Sequence, residues 1–269
     1  MDLWFIISLL LLGCVVGFAA GLLGIGGGGI MVPVLTSLFL ANGFGVEKVV
    51  HLALGTSMAS IIITSISSIR AHHSQNGVLW GIVKNMAPGI LLGAFSTTFV
   101  ASYLNSMYLA IFFSIFMAYV SLQMFLNIKP KPDRKLPGKV GLFSAGSVIG
   151  GISSLVSIGG GSLTVPYLTW HNVKVTNAIG TSAAIGLPIS IAGTFGYIVN
   201  GWGNSSPDKL TLGFIYLPAV FLISSVSFFL APYGAKLAHN LPVAKLKKIF
   251  AILLIALSIK MLVSVLKAI

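Results

Sequence analysis

The sequence predicts an all-α integral membrane protein: two inverted-topology repeats of about five helical elements each, with a Gly-broken short helix in each repeat. Three observations carry this. First, 56% of the 269 residues are hydrophobic and only 7% are charged, against about 25% charged in an ordinary soluble domain. So apolar a chain cannot cover its own surface. It must face lipid, where each span satisfies its backbone as helix. Second, the apolar runs have the length of about 20 residues that crosses a bilayer. Third, the second half of the chain repeats the first.

Taken in order, residues 3–24 are long enough to cross, and residues 30–41 are apolar but too short to cross alone. Residues 48–69, 78–101 and 106–127 are full length. The strongly polar stretch Lys129-Pro130-Lys131-Pro132-Asp133-Arg134-Lys135 then interrupts the pattern. After it come a long run at 140–157, a short one at 162–172, and long ones at 175–199, 211–234 and 247–267. The predicted organisation is a first transmembrane repeat at 1–128, a basic cytoplasmic linker at 129–139, and a second repeat at 140–269. Met1-Asp2-Leu3 lacks the basic start of a cleaved signal, so the first run reads as a permanent span.

Residues 13–33 aligned on 146–166 share ten identities in 21 positions. Ile25-Gly26-Gly27-Gly28 falls on Ile158-Gly159-Gly160-Gly161, and Val32-Pro33 on Val165-Pro166. At an offset of 125, Gly55-Thr56-Ser57 falls on Gly180-Thr181-Ser182. Five elements per half is an odd number, so the halves cross in opposite senses and both ends lie outside. Lys and Arg, concentrated in the linker, at Arg70 and Lys174 and at 236–248, then fall on the cytoplasmic side. This tally requires each short segment to count as a crossing; re-entrant hairpins would place the 236–248 cluster outside.

The candidate chemistry lies at the two glycine runs. Gly26, Gly27, Gly28 and Gly29 cannot extend a helix without cost, about 1 kcal/mol each relative to Ala. A helix break at membrane depth is tolerated where it is buried in protein or lines a cavity. Its freed N–H groups and the positive helix end suit an anion. Gly159, Gly160, Gly161 and Ser162 offer the same from the other half. A tight turn or close helix crossing is the competing reading of either run; matched breaks in a repeat favour a substrate site. Thr56, Ser57, Thr181 and Ser182 carry hydroxyls that either coordinate oxyanion oxygens or bond helix to helix. Gly13, Gly17 and Gly21 have the spacing of helix packing. His51 reads as an interfacial histidine. Arg70 with His72 and His73 is either an anion approach or a positive anchor.

Several classes are excluded. The net charge of +12 comes from 16 basic residues in short loops, the pattern of membrane topology and lipid contact rather than nucleic acid. Cys14 is the single cysteine, so neither a disulfide nor a metal cluster is expected. The four acids, Asp2, Glu47, Asp133 and Asp208, lie near span ends or in loops, which argues against a carboxylate proton relay or a cation pathway. No nucleophile with its base, phosphate loop or nucleotide domain is visible, so the chain is read as no enzyme and as needing no cofactor.

The duplicated Gly-Gly-Gly…Pro break, Ile25 to Pro33 and Ile158 to Pro166, with the Gly-Thr-Ser spans, resembles the sulfite exporter TauE/SafE family of membrane permeases. The resemblance covers essentially the whole chain. It implies a multi-pass protein of the bacterial inner membrane that moves a small sulfur-containing anion such as sulfite, sulfoacetate or another sulfonate. A secondary exporter working by alternating access is the expected activity. A passive anion channel or an exchanger or uptake permease on the same scaffold is the alternative. The expected partners are the anionic substrate and the bilayer, with a homo-oligomer open.

Overall fold

The computed structural model describes residues 2–24, 26–126, 135–205, 210–240 and 243–268. Ile25, most of the basic linker, Asp133 and Asp208 lie outside the described residues. Ten α-helices make up the described chain: α1 (Leu3–Leu23), α2 (Gly28–Ala41), α3 (Val49–His73), α4 (Trp80–Tyr103), α5 (Ser106–Phe125), α6 (Lys139–Leu155), α7 (Gly161–Trp170), α8 (Val175–Gly201), α9 (Leu217–Asn240) and α10 (Val243–Ala268). Seven of them are long and apolar enough to cross a membrane. The chain is an all-α membrane protein.

Helix limits follow the apolar runs closely, with one difference. The run predicted at 211–234 opens instead with a two-stranded hairpin, β1 (Thr211–Leu212) and β2 (Ile215–Tyr216), and the helix starts at Leu217. Gly213 sits at φ 57, outside the helical region, and its N–H donates to Ser205 Oγ at 2.8 Å. The hairpin delivers Phe214 onto His51, with ring centroids 5.0 Å apart.

α3 and α8 are the most enclosed of the long helices and pack on each other at the centre. Around them α1 lies on α9, α4 on α6, and α5 on α10. Outward faces present large apolar side chains such as Leu11, Ile115, Leu122, Phe221 and Phe229, as lipid contact requires. α1 begins and α2 ends beside Tyr216, whose ring stands 6.2 Å from Phe5 and 5.6 Å from Phe39. The α1–break–α2 segment therefore returns to the end of the bundle where it began.

Small residues set the close crossings. A Cβ on Gly17 would lie 2.6 Å from the Ser227 Cα, and one on Gly13 would lie 2.7 Å from the Ile223 carbonyl oxygen. The α4–α6 pair repeats the device: a Cβ on Gly150 would lie 2.6 Å from the Ile90 carbonyl oxygen, and one on Gly146 would lie 2.5 Å from that of Met86. Backbone, unlike a flexible side chain, cannot step aside. Without a hydrophobic drive between helices in lipid, such close approach supplies much of the association.

His51 corrects the expectation of an interfacial side chain. It is fully buried, and its Nε2 donates to the Ala101 carbonyl at 3.0 Å. It ties the start of α3 to the last turn of α4. His72 is also buried and donates to the Gly21 carbonyl at 3.0 Å, while Arg70 and His73 stay exposed. Gly17→Leu and Gly150→Leu are each expected to lower the thermal unfolding temperature of the detergent-solubilised protein, with overpacking costing about 1–3 kcal/mol. Unchanged unfolding in both would mean that these crossings are slack.

Candidate functional site

Each short helix starts from a left-handed turn. α1 stops at Gly24, φ 67, whose N–H donates to the Ala20 carbonyl at 2.9 Å. Gly26 at φ 70 and Gly27 at φ 78 then turn the chain into α2. L-residues with side chains resist that conformation. The second break uses Ser157 at φ 49 and Gly160 at φ 82. Ser157 is held there by donating its hydroxyl to the Leu54 carbonyl of α3 at 3.1 Å. The turns are shorter than the glycine runs suggest. Gly28 and Gly29 already form the first turn of α2, and Gly161 and Ser162 that of α7.

The two breaks touch. A Cβ on Gly26 would stand 2.7 Å from the Gly159 Cα, and one on Gly28 would collide with the Ser157 carbonyl oxygen. Gly29 points elsewhere, toward Met117 of α5 and Leu254 of α10. Among the described residues, the N–H groups of Gly159, Gly161 and Ser162 have no acceptor, whereas that of Gly160 donates to the Ile158 carbonyl at 2.7 Å. Those of Gly26, Gly27, Gly28 and Gly29 likewise have none among the described residues.

Gly26 and Gly159 lie on the wall of one recess with about 10 Å³ of space open to a water-sized sphere. That is room for about one water molecule. Thr64, Ser65 and Ser68 of α3 form a second wall, and Ala20, Gly24 and Ala183 complete it. Among the described residues no charged side chain lines it. Ser65 and Ser68 are 4% and 2% exposed, so solvent barely reaches this wall and the helices must part for a solute to pass.

The Gly-Thr-Ser hydroxyls divide by role. Thr56 Oγ1 accepts the N–H of Tyr216 at 2.9 Å, and Thr181 Oγ1 accepts that of Leu79 at 3.0 Å. Each threonine thus braces the residue just before a helix of the other half. The neighbouring glycines match: a Cβ on Gly180 would lie 2.5 Å from the Gly77 carbonyl oxygen, and one on Gly55 would collide with that of Phe214. Ser182 Oγ donates to the Ile179 carbonyl at 2.8 Å and lies 3.3 Å from the Gly24 carbonyl. Ser57 Oγ is buried with no hydrogen-bond partner among the described residues.

Sequence reasoning missed Thr64, Ser65 and Ser68. Their signal was the run Thr64-Ser65-Ile66-Ser67-Ser68, four hydroxyls in five residues of a full-length span. It also missed Thr164 of α7, whose buried hydroxyl beside Gly160 has no partner among the described residues. Among the described residues no cluster of His, Cys, Asp or Glu could hold a metal ion.

Long apolar helices packed around a small recess at two helix breaks are the build of a membrane transporter. The chain belongs to the sulfite exporter TauE/SafE family, whose model matches residues 9–261. It is 40% identical over 262 residues to a probable membrane transporter protein of Haemophilus influenzae, covering 96% of this chain and 98% of the relative. A probable membrane transporter protein of Methanocaldococcus jannaschii is 26% identical, with 87% and 86% covered. One of Bacillus subtilis is 30% identical, with 74% and 80% covered. No solved structure matches the chain. The relatives are named as transporters, and the chain is a multi-pass membrane transporter rather than an enzyme.

Thr56→Val keeps the side-chain shape but strips the buried Tyr216 N–H of its acceptor. It is expected to destabilise the protein by about 1–3 kcal/mol, read as a fall in unfolding temperature without added anion. An unfolding temperature equal to wild type would show that the threonine does not brace the hairpin.

Proposed function

We propose that this transporter moves a small sulfur-containing anion, such as sulfite, sulfoacetate or another sulfonate, out of the cell across the bacterial inner membrane. The observation that carries the reading is the shared recess. One glycine from each break, Gly26 and Gly159, lines the same small, uncharged, hydroxyl-walled space. At the touching breaks beside it lie the N–H groups of Gly26, Gly27, Gly28, Gly159, Gly161 and Ser162, none with an acceptor among the described residues, and Ser182 lies beside Gly24 on its wall. Thr56 and Thr181 hold the surrounding helices in place. An oxyanion offers acceptors to such donors, and helix N-termini favour its charge.

The proposed machine is a pair of inverted copies, 1–128 and 140–269, that rock against each other. Matched contacts support it: Thr56 with Tyr216 and Thr181 with Leu79, and the α1–α9 crossing with the α4–α6 crossing. Outward movement follows from energy. Each negative charge leaving a cell that is negative inside gains about 2.3 kcal/mol per 100 mV. Export therefore needs no coupling ion, in keeping with the uncharged recess. The name of the family points the same way. The tightness of the recess favours alternating access over an open channel.

Purified protein in proteoliposomes is expected to take up labelled sulfite or sulfoacetate with saturation and counterflow. Flux that rises linearly with concentration and shows no counterflow would identify a channel. Absence of flux and of binding for sulfite, sulfate, thiosulfate, sulfoacetate and taurine would overturn the anion reading.

A further inference from the structure

The recess is not shared equally by the two halves. Under the offset of 125 that superposes Gly55-Thr56-Ser57 on Gly180-Thr181-Ser182, Ser68 of α3 corresponds to Gly193 of α8, and Ala183 of α8 to Met58 of α3. On one side Ser68 and Ala183 line free space. On the matching side the space is filled: a Cβ on Gly193 would lie 3.1 Å from the Met58 sulfur and 3.2 Å from its Cγ. Met58 is fully buried. Ten residues of helix separate Met58 from Ser68, about 15 Å along α3.

Ser68 is also a fully buried hydroxyl of this recess with no partner among the described residues. Thr64 Oγ1 is 3.1 Å from the Ser60 carbonyl and 2.8 Å from Ser227 Oγ. Ser68 Oγ is buried, lines the recess and has no partner among the described residues. An unpaired buried hydroxyl costs free energy in the empty protein. A ligand that accepts its hydrogen bond recovers that cost.

Resting on the anion reading above, we propose that Ser68, with Ser65 beside it, is a substrate ligand, so that the anion seats on the α3 C-terminal side of the touching breaks. The seat is a neutral oxyanion subsite, with hydroxyl donors from α3 facing Gly26 and Gly159. Met58 on Gly193 closes the opposite side while the anion is held.

Titration of the detergent-solubilised full-length chain with sulfite, sulfate and thiosulfate tests this, with the unfolding temperature of each empty protein measured in parallel. Wild type binds at least one of these anions. Ser68→Ala is expected to weaken that binding about ten-fold or more, as loss of a hydrogen bond to a charged group does, while leaving the empty protein as stable as wild type. Ser121→Ala removes another buried unpartnered hydroxyl, on α5 and outside the recess, and is expected to change neither quantity. Wild-type affinity in Ser68→Ala would overturn the assignment and leave the anion reading standing. A Ser68→Ala protein that loses empty-state stability would reassign the hydroxyl to packing. No binding by wild type would remove both.

Discussion

Everything in this fold depends on how a chain breaks a helix inside a membrane. Lipid offers no hydrogen-bond partners, so an interrupted helix must hide its backbone in protein. Here each interruption is hidden by the other. Gly26 lies against Gly159 and Gly28 against Ser157, at distances that admit no Cβ. That contact explains why glycines occur in both runs, and why α3 and α8, which flank the breaks, are the most enclosed long helices. The small-residue crossings of α1 on α9 and α4 on α6 then hold the outer helices tightly round that centre.

Much of this was legible in the letters. Span limits follow apolar length, because a helix that ends inside lipid would strand its carbonyls. The doubled Gly-Gly-Gly…Pro motif located both breaks to within a residue or two. The hairpin at 211–216 was illegible, since Thr211-Leu212 and Ile215-Tyr216 are apolar enough to read as the start of the following span. Hydropathy reports burial, not backbone conformation. The bracing by Thr56 and Thr181 was hidden for a different reason. Their partners lie 160 and 102 residues away, so no local pattern announces them. His51 misled for the same reason: its burial comes from Phe214 and Ala101, both distant in sequence.

The hydroxyl wall shows where composition stops being informative. Ser and Thr in spans commonly bond to their own helix, as Ser60 and Thr64 do here with carbonyls four residues back. A serine in such a stretch is ordinary until its partner is known to be missing. Only the packed structure separates Ser67, which donates to the Phe228 carbonyl, from Ser68, which donates to nothing described. Repeat symmetry sharpens the distinction, because the position matching Ser68 is a glycine filled by Met58. On the proposed reading, duplication supplies the frame, and divergence at single positions makes one side a seat and the other a seal.

An uncharged seat suits a carrier of anions. A lysine or arginine at mid-membrane would cost about 2.5–3.5 kcal/mol on insertion and would hold the solute in a deep electrostatic well. A transported ion must be bound firmly enough to enter and loosely enough to leave. Amide and hydroxyl donors meet both demands, because they recognise oxygen acceptors without a permanent counter-charge. Arg70 stands in the last turn of α3 instead, exposed two positions beyond Ser68. Under the proposed function, it raises the local anion concentration there without trapping the ion inside. On the proposed reading, capture and release are thus assigned to different parts of one helix: charge at the mouth, neutral donors at the seat.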